Sequence, residues 1–202
     1  MRIYWHDSLC HYRGEAVRVI AGSAKGIPLQ AVPGSGTRPI SDRVKEAVFS
    51  ILGDGVIGAW VLDLFAGTGS VGIEALSRGA ARAVLVEKHP RAADVIKANL
   101  ARTRLQANAR VVKADVFKFL AGQAEPFDLI YVAPPQYQNL WLKTLLALDA
   151  NPGWLQPDGQ IVVQVFPKEL QLVELASLQL VDQRKYGSTL VCFYTFRDQA
   201  GN

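Results

Sequence analysis

"VLDLFAGTGSVGIEAL", residues Val61 to Leu76, carries an aliphatic run into a glycine-rich turn and then into a helical pattern. The run "AWVLDLF" lacks the alternation of a half-exposed strand and reads as one buried on both faces, the pattern of a parallel sheet. Gly67, Gly69 and Gly72 form G-x-G-x-x-G at the turn, and "SVGIEALSRG" follows as a helix closed by Gly79. The same alternation extends down the chain. "RAVLVE" is a strand, "PRAADVIKANLAR" a helix with Pro90 in its first turn, and "ARVVKAD" a strand. "VFKFLAG" is a short helix, "FDLIYV" a strand, "NLWLKTLLALDA" a helix, "NPGWLQPDG" a turn-rich loop and "QIVVQVF" a strand. "LQLVDQRKYGSTLVCFYTF" closes the chain as two extended runs around Gly187. Helices between strands predict an α/β fold with a mostly parallel seven-stranded sheet and a C-terminal antiparallel strand.

Ahead of this unit, residues 1–15 read as a flexible extension. Residues 16–57 read as a hairpin and helix, and residues 58–202 as the main domain. "AVRVIAGSAKGIPLQAV" holds two extended runs around Gly22 to Gly26, the hairpin signal. "SDRVKEAVFSIL" places Ser41 at an N-cap, with Val44, Ala47, Val48, Ile51 and Leu52 at helical spacing.

The 202 residues are half hydrophobic and carry a net charge of +4, which suits one globular domain with a small appendage. The charge is unevenly spread. From Arg78 to Lys118 there are ten Lys/Arg against three acids (Glu87, Asp94, Asp115), and from Phe119 onward five against eight. A basic stretch of this kind meets a polyanion or simply covers solvated helix faces. Cys10 and Cys192 stand far apart without metal or redox spacing, so no metal site is expected. No apolar run is long enough for a membrane span, and the expectation is a soluble, cytoplasmic monomer.

The glycine turn calls for a nucleoside ligand, and Asp63 discriminates among them. It lies four residues before Gly67, where a dinucleotide would lay its pyrophosphate. A carboxylate about 4 Å from that anion costs on the order of 4 kcal/mol at an effective dielectric near 20. A cationic ligand without phosphate fits instead, and S-adenosylmethionine has a sulfonium, an ammonium and a ribose. The ordinary structural reading of Asp63 is a carboxylate accepting from backbone N–H groups of the glycine loop, and the two readings are compatible. Glu87, twenty residues after Gly67, ends the second strand and suits ribose hydroxyls. Asp115 follows the third strand, where it either accepts from an adenine amine, with the Val116 N–H donating to the ring, or N-caps the next helix.

The fourth strand ends in Ala133-Pro134-Pro135-Gln136-Tyr137. Two prolines remove two donors and fix φ, which leaves carbonyls free to accept from an amine, while Tyr137 can stack on a planar base. The plainer reading is a stiff turn with Tyr137 as packing.

"RVIAGSAKGIPL", "TRPISDRVKEAVFSIL", "VLDLFAGTGSVGIEALSRGA", "VEKHP", "FDLIYVAPPQY" and "RKYGSTLVCFY" together resemble the RsmD family, bacterial methyltransferases of guanine N2 in small-subunit ribosomal RNA. The resemblance spans Val17 to Phe196, and its front motifs are more specific than the glycine turn. It implies a Rossmann-like class I methyltransferase fold using S-adenosylmethionine on 16S RNA or the assembled 30S subunit. By position, Asp63, Phe65, Gly67 and Gly69 would hold the cofactor's amino-acid part and Glu87 the ribose, with Ala66 and Lys88 also binding the cofactor. Asp115 and Val116 would meet the adenine, and Ala133 would border the cofactor. Pro134, Pro135 and Tyr137 would form the target-base site, with Gln136 a further catalytic candidate, and Arg38, Asp42 and Arg43 would border the cofactor and RNA entrance. The family pattern is D-P-P followed by an aromatic; here Ala133 stands for the acid and Gln136 is inserted before Tyr137. One lost hydrogen bond of this kind costs about 1–3 kcal/mol, about ten- to a hundredfold in rate. The Pro134 carbonyl or the Gln136 side chain is an alternative acceptor. The competing expectations are a catalytically weakened cofactor- and RNA-binding assembly factor, a methyltransferase of another amine, and a nicotinamide oxidoreductase, which Asp63 disfavours.

Overall fold

A computed structural model describes residues 17–33 and 40–197. The aliphatic runs form β1 (Trp60–Leu64), β2 (Arg82–Glu87), β3 (Ala109–Lys113), β4 (Phe127–Val132) and β5 (Leu155–Val165), all parallel. The chain then closes with β6 (Leu178–Tyr186) and β7 (Thr189–Phe196), and β7 runs antiparallel to both neighbours. The order across the sheet is β3-β2-β1-β4-β5-β7-β6. Strand order reverses between β1 and β4, so the crevice at the carboxyl ends opens there.

Alternate residues of each central strand enter different cores, as period-two geometry requires. Val61, Ala83 and Leu85 pack toward α1 (Asp42–Leu52), α2 (Ser70–Ser77) and α3 (Pro90–Thr103), with Val48, Ile73 and Ile96. Leu62, Leu64, Val84 and Val86 pack toward α4 (Val116–Leu120) and α5 (Leu140–Ala150), with Leu120, Trp141 and Leu145. Burial on both faces explains why β1, β2 and β4 show no polar alternation in sequence.

The front segment docks on the far end of α2 rather than on the sheet edge. Its hairpin is a single antiparallel bridge, Arg18 with Pro28, supported by Val19 N–H to Ile27 O (3.0 Å) and Leu29 N–H to Val17 O (2.7 Å). The turn is fixed by contact. A Cβ on Gly22 would lie 1.7 Å from the Ser77 carbonyl oxygen, and Ser23 N–H donates to that oxygen at 2.8 Å. Only a residue without a side chain lets the backbone approach a helix end this closely.

Two sequence expectations shift. The buried residues of α1 are Val44, Lys45, Val48 and Phe49, with Ile51 turned to solvent. The helix is rotated because Lys45 reaches a buried carboxylate on α2, described below. β5 begins at Leu155, inside the expected turn-rich loop. Leu155 is buried opposite Phe127, and a bulge restores register at Leu129 with Gln160. Residues 1–15 lie outside the described residues.

Candidate active site

β1 delivers Asp63 onto the face covered by α2, and α2 starts directly after the glycine turn. Asp63 is 2% exposed, and its Oδ2 accepts from Gly72 N–H at 3.0 Å. The backbone-bonding reading of Asp63 is therefore realised; it satisfies a first-turn N–H of α2 that has no intrahelical partner. Burial pushes this carboxyl up from 3.8 to about 7; the Gly72 bond opposes the rise and the nearby Glu87 charge adds to it.

The turn itself is shaped for close approach. Phe65, Gly67 and Gly69 all hold positive φ (65°, 56° and 79°), Ala66 N–H donates to Val86 O at 3.0 Å, and Gly69 N–H to Ala66 O at 2.7 Å. A Cβ on Gly72 would meet Leu85 Cδ2 at 2.8 Å, so this third glycine serves helix-on-strand packing. Glu87, at the end of β2, is almost fully buried; its Oε2 accepts from Gly67 N–H (2.9 Å) and its Oε1 from His89 N–H (2.8 Å). It ties the end of β2 to the glycine turn and retains lone pairs for a ligand hydroxyl. Asp115 caps α4 through Phe117 N–H (3.0 Å) and pairs with Lys88 Nζ at 3.3 Å. Burial would raise its carboxyl, but the bonds from Lys88 and from the Phe117 and Lys118 N–H groups prevail and hold it below the usual range. Val116, next in chain, is buried at the start of α4.

Asp63, Glu87 and Asp115 thus stand at the carboxyl ends of β1, β2 and β3, beside backbone that only small or left-handed residues can trace. Acidic walls at the glycine turn suit a cationic nucleoside and oppose a pyrophosphate. The residues present therefore fit S-adenosylmethionine.

β4 ends beside this crevice. Ala133, Pro134 and Pro135 are half-buried, and Gln136 and Tyr137 are exposed. Tyr137 holds φ 62°, is 71% exposed, and sets its ring 5.7 Å from that of Phe166. Its N–H donates to Glu169 Oε1 at 2.6 Å. A shallow pocket here is lined by Pro134, Pro135, Gln136, Gln164, Phe166 and Glu169, among others. A larger open hollow of about 390 Å³ lies at the opposite, amino end of the strands, between Gly58, Asp128 and Gln160, away from the acid-lined crevice.

The expected RNA-entrance residues are only partly placed. Asp42 accepts from Arg18 Nε at 3.0 Å, Arg43 is exposed, and Arg38 lies outside the described residues.

Sequence reading missed four residues. Glu74 on α2 is fully buried and accepts from Ile20 N–H (2.7 Å), Ala21 N–H (3.0 Å) and Arg78 Nε (2.8 Å), with Lys45 Nζ at 3.4 Å. Lys45 also donates to Arg18 O at 2.5 Å, and burial lowers its pKa against the pull of Glu74. The signal was there: Lys45 sits beside the apolar stripe of α1, and Glu74 is the sole charge in an otherwise apolar helix. Asn99, buried on α3, bonds both Gln30 N–H (2.7 Å) and Thr68 O (2.9 Å), which links the front segment to the glycine turn. Glu169 carries no sequence signal, because a register-dependent turn brings it to the pocket.

The sheet order with reversed β7, the glycine turn and its acid-lined crevice define a class I S-adenosylmethionine-dependent methyltransferase fold. The chain belongs to the RsmD family, whose model, described as "Conserved hypothetical protein 95", matches residues 17–195. YlbH of Bacillus subtilis (strain 168) is 39% identical over 185 residues, 90% of this chain and 100% of that one. "Ribosomal RNA small subunit methyltransferase D" of Escherichia coli (strain K12) is 38% identical over 154 residues, 76% of this chain and 77% of that one. Among solved structures, the methyltransferase-type protein yhhF of Escherichia coli superposes with a TM-score of 0.81 at 33% identity, covering 91% of this chain and 99% of that one. Among the described residues no helix is long and apolar enough to cross a membrane.

Proposed function

We propose that this protein transfers a methyl group from S-adenosylmethionine to the exocyclic N2 amine of a guanine in small-subunit ribosomal RNA. The observation that carries the reading is the juxtaposition of the acid-lined glycine turn with the Pro134-Pro135 turn across the β1/β4 switch point, in a family whose Escherichia coli relative is named for small-subunit ribosomal RNA.

When bound, S-adenosylmethionine supplies an electrophilic methyl on a sulfonium. Asp63, ionised, stabilises the cationic amino-acid part, with Phe65, Ala66, Gly67 and Gly69 shaping the backbone around it. Glu87 accepts from the ribose hydroxyls, Lys88 keeps Asp115 in place, and Asp115 with the Val116 N–H meets the adenine. Ala133 borders the cofactor. Pro134 and Pro135 form the floor of the base site, and Tyr137, exposed and left-handed, stacks on the base. An acceptor on the amine hydrogens draws the nitrogen lone pair out of conjugation and toward the methyl. Arg38, Asp42 and Arg43 border the RNA entrance.

Tritiated S-adenosylmethionine, the purified protein and unmodified small-subunit RNA or 30S subunits test this directly. Label in the RNA of either is expected. One observation favours a second reading, an assembly factor that binds cofactor and RNA with little turnover: the turn from Ala133 to Tyr137 carries no carboxylate. That reading requires calorimetric binding of both ligands and no label.

A further inference from the structure

The Pro-Pro turn has no acid of its own, yet the pocket beneath it has one. Glu169 ends the 3-10 turn Pro167–Glu169 that follows β5, and its N–H donates to Phe166 O at 2.8 Å. Among the described residues it is the one carboxylate lining the pocket with Pro134, Pro135 and Gln136. Its Oε1 is fixed by Tyr137 N–H at 2.6 Å, so the carboxylate is fastened to the target-base turn by the turn's own backbone. The donor is Tyr137's own backbone N–H, the kind of group that Pro134 and Pro135 lack. The other oxygen, Oε2, has no hydrogen-bond or ion-pair partner among the described residues. Gln136, by contrast, is exposed and makes no side-chain hydrogen bond among them. An anchored carboxylate with one oxygen free, half-buried beside a base platform, is equipped to accept from a planar amine.

We infer that Glu169 is a catalytic residue: it accepts a hydrogen bond from the target guanine N2 amine and takes up the proton released on methylation. This rests on the methyltransferase reading above. The amine nitrogen forms a bond to the methyl carbon as the carbon–sulfur bond breaks, and both electrons of that bond stay on sulfur, leaving a neutral thioether. The methylated nitrogen then sheds one proton to the Glu169 carboxylate, which returns it to water. The carboxylate comes from the end of β5 instead of the end of β4.

The test is steady-state kinetics of the full chain with S-adenosylmethionine and unmodified small-subunit RNA or subunits, comparing wild type, Glu169→Gln and Glu169→Gln with Ala133→Asp. Glutamine keeps an acceptor for Tyr137 N–H, so the turn is preserved, and unchanged thermal unfolding together with unchanged calorimetric cofactor affinity verifies this. The expected result is a kcat lowered about ten- to a hundredfold in Glu169→Gln, and recovery to within a few-fold of wild type when Ala133→Asp restores an acid at the turn. A merely structural role for Glu169 would give no such rescue. Should Glu169→Gln unfold or lose cofactor affinity, Glu169→Asp replaces it in the same comparison, with a lowered kcat and the same rescue expected. A kcat within twofold of wild type, or a loss that Ala133→Asp leaves untouched, overturns the role of Glu169 alone. No turnover by the wild type overturns the methyltransferase reading and this inference with it.

Discussion

Replacing Asp63 by Asn separates what this carboxylate does for the fold from what it does for the ligand. The amide is nearly isosteric, and its oxygen can still accept from Gly72 N–H, now at 3.0 Å from Oδ2. The carboxyl of the folded protein titrates near 7, pushed up from 3.8 by burial. Below about pH 3.8 the group is neutral in both folded and unfolded chains. Between 3.8 and 7 it ionises only in the unfolded chain, so stability falls as pH rises through that window and stays lowered above it. The gap from 3.8 to about 7 corresponds to about 4 kcal/mol at 1.36 kcal/mol per pH unit, an upper figure. Asparagine escapes that loss, so Asp63→Asn is expected to unfold at higher urea than wild type at pH 8 and to match it near pH 4. Ligand binding moves the other way. A cationic ligand needs the ionised carboxylate, which is about 1% populated at pH 5 if it titrates near 7. Wild-type affinity for S-adenosylmethionine, measured by calorimetry, should drop about a hundredfold from pH 8 to pH 5, with proton release on binding near pH 7. Asp63→Asn should bind more weakly at pH 8 and show little of this dependence. A wild-type affinity that is flat between pH 5 and 8, together with an Asn variant that binds equally well, would refute the assignment of Asp63 to the cationic part of the ligand.

Two further outcomes follow from the packing of the front segment. Lys45→Met leaves the buried Glu74 with one cation fewer and should cost about 3–5 kcal/mol in urea denaturation; a loss under 1 kcal/mol would show that Arg78 alone balances the charge. Gly22→Ala and Gly26→Ala share a φ of 82°, but a Cβ on Gly22 meets Ser77 O at 1.7 Å whereas one on Gly26 meets nothing within 4 Å. Gly26→Ala should therefore cost only about 1–2 kcal/mol of backbone strain, and Gly22→Ala several kcal/mol more or no soluble protein; equal effects would mean that the docking on α2 is dispensable.

The strands and helices were legible because fully buried parallel strands leave unbroken aliphatic runs, and because Gly79, Pro90 and Ser41 punctuate the helices where the structure ends or begins them. The three acids were legible from their place at successive strand ends. What sequence left open was their present engagement: Asp63 and Glu87 already accept from backbone N–H groups, and Asp115 both caps α4 and pairs with Lys88. Spacing cannot show such bonds, because they depend on which way a turn faces. The rotation of α1 escaped notice because an apolar count omits lysine, and Lys45 is buried through a partner 29 positions away. Glu169 was beyond reach for a similar reason. Its meeting with Tyr137 spans 32 positions and depends on the bulge that sets the register of β5 against β4.

The central claim is the identity of the methylated atom. RNA labelled by the wild-type protein can be digested to nucleosides and resolved by chromatography and mass spectrometry. The account predicts that the label co-elutes with N2-methylguanosine and with no other nucleoside. Label in a methylated adenosine or cytidine, or in a guanosine methylated at another position, would contradict it.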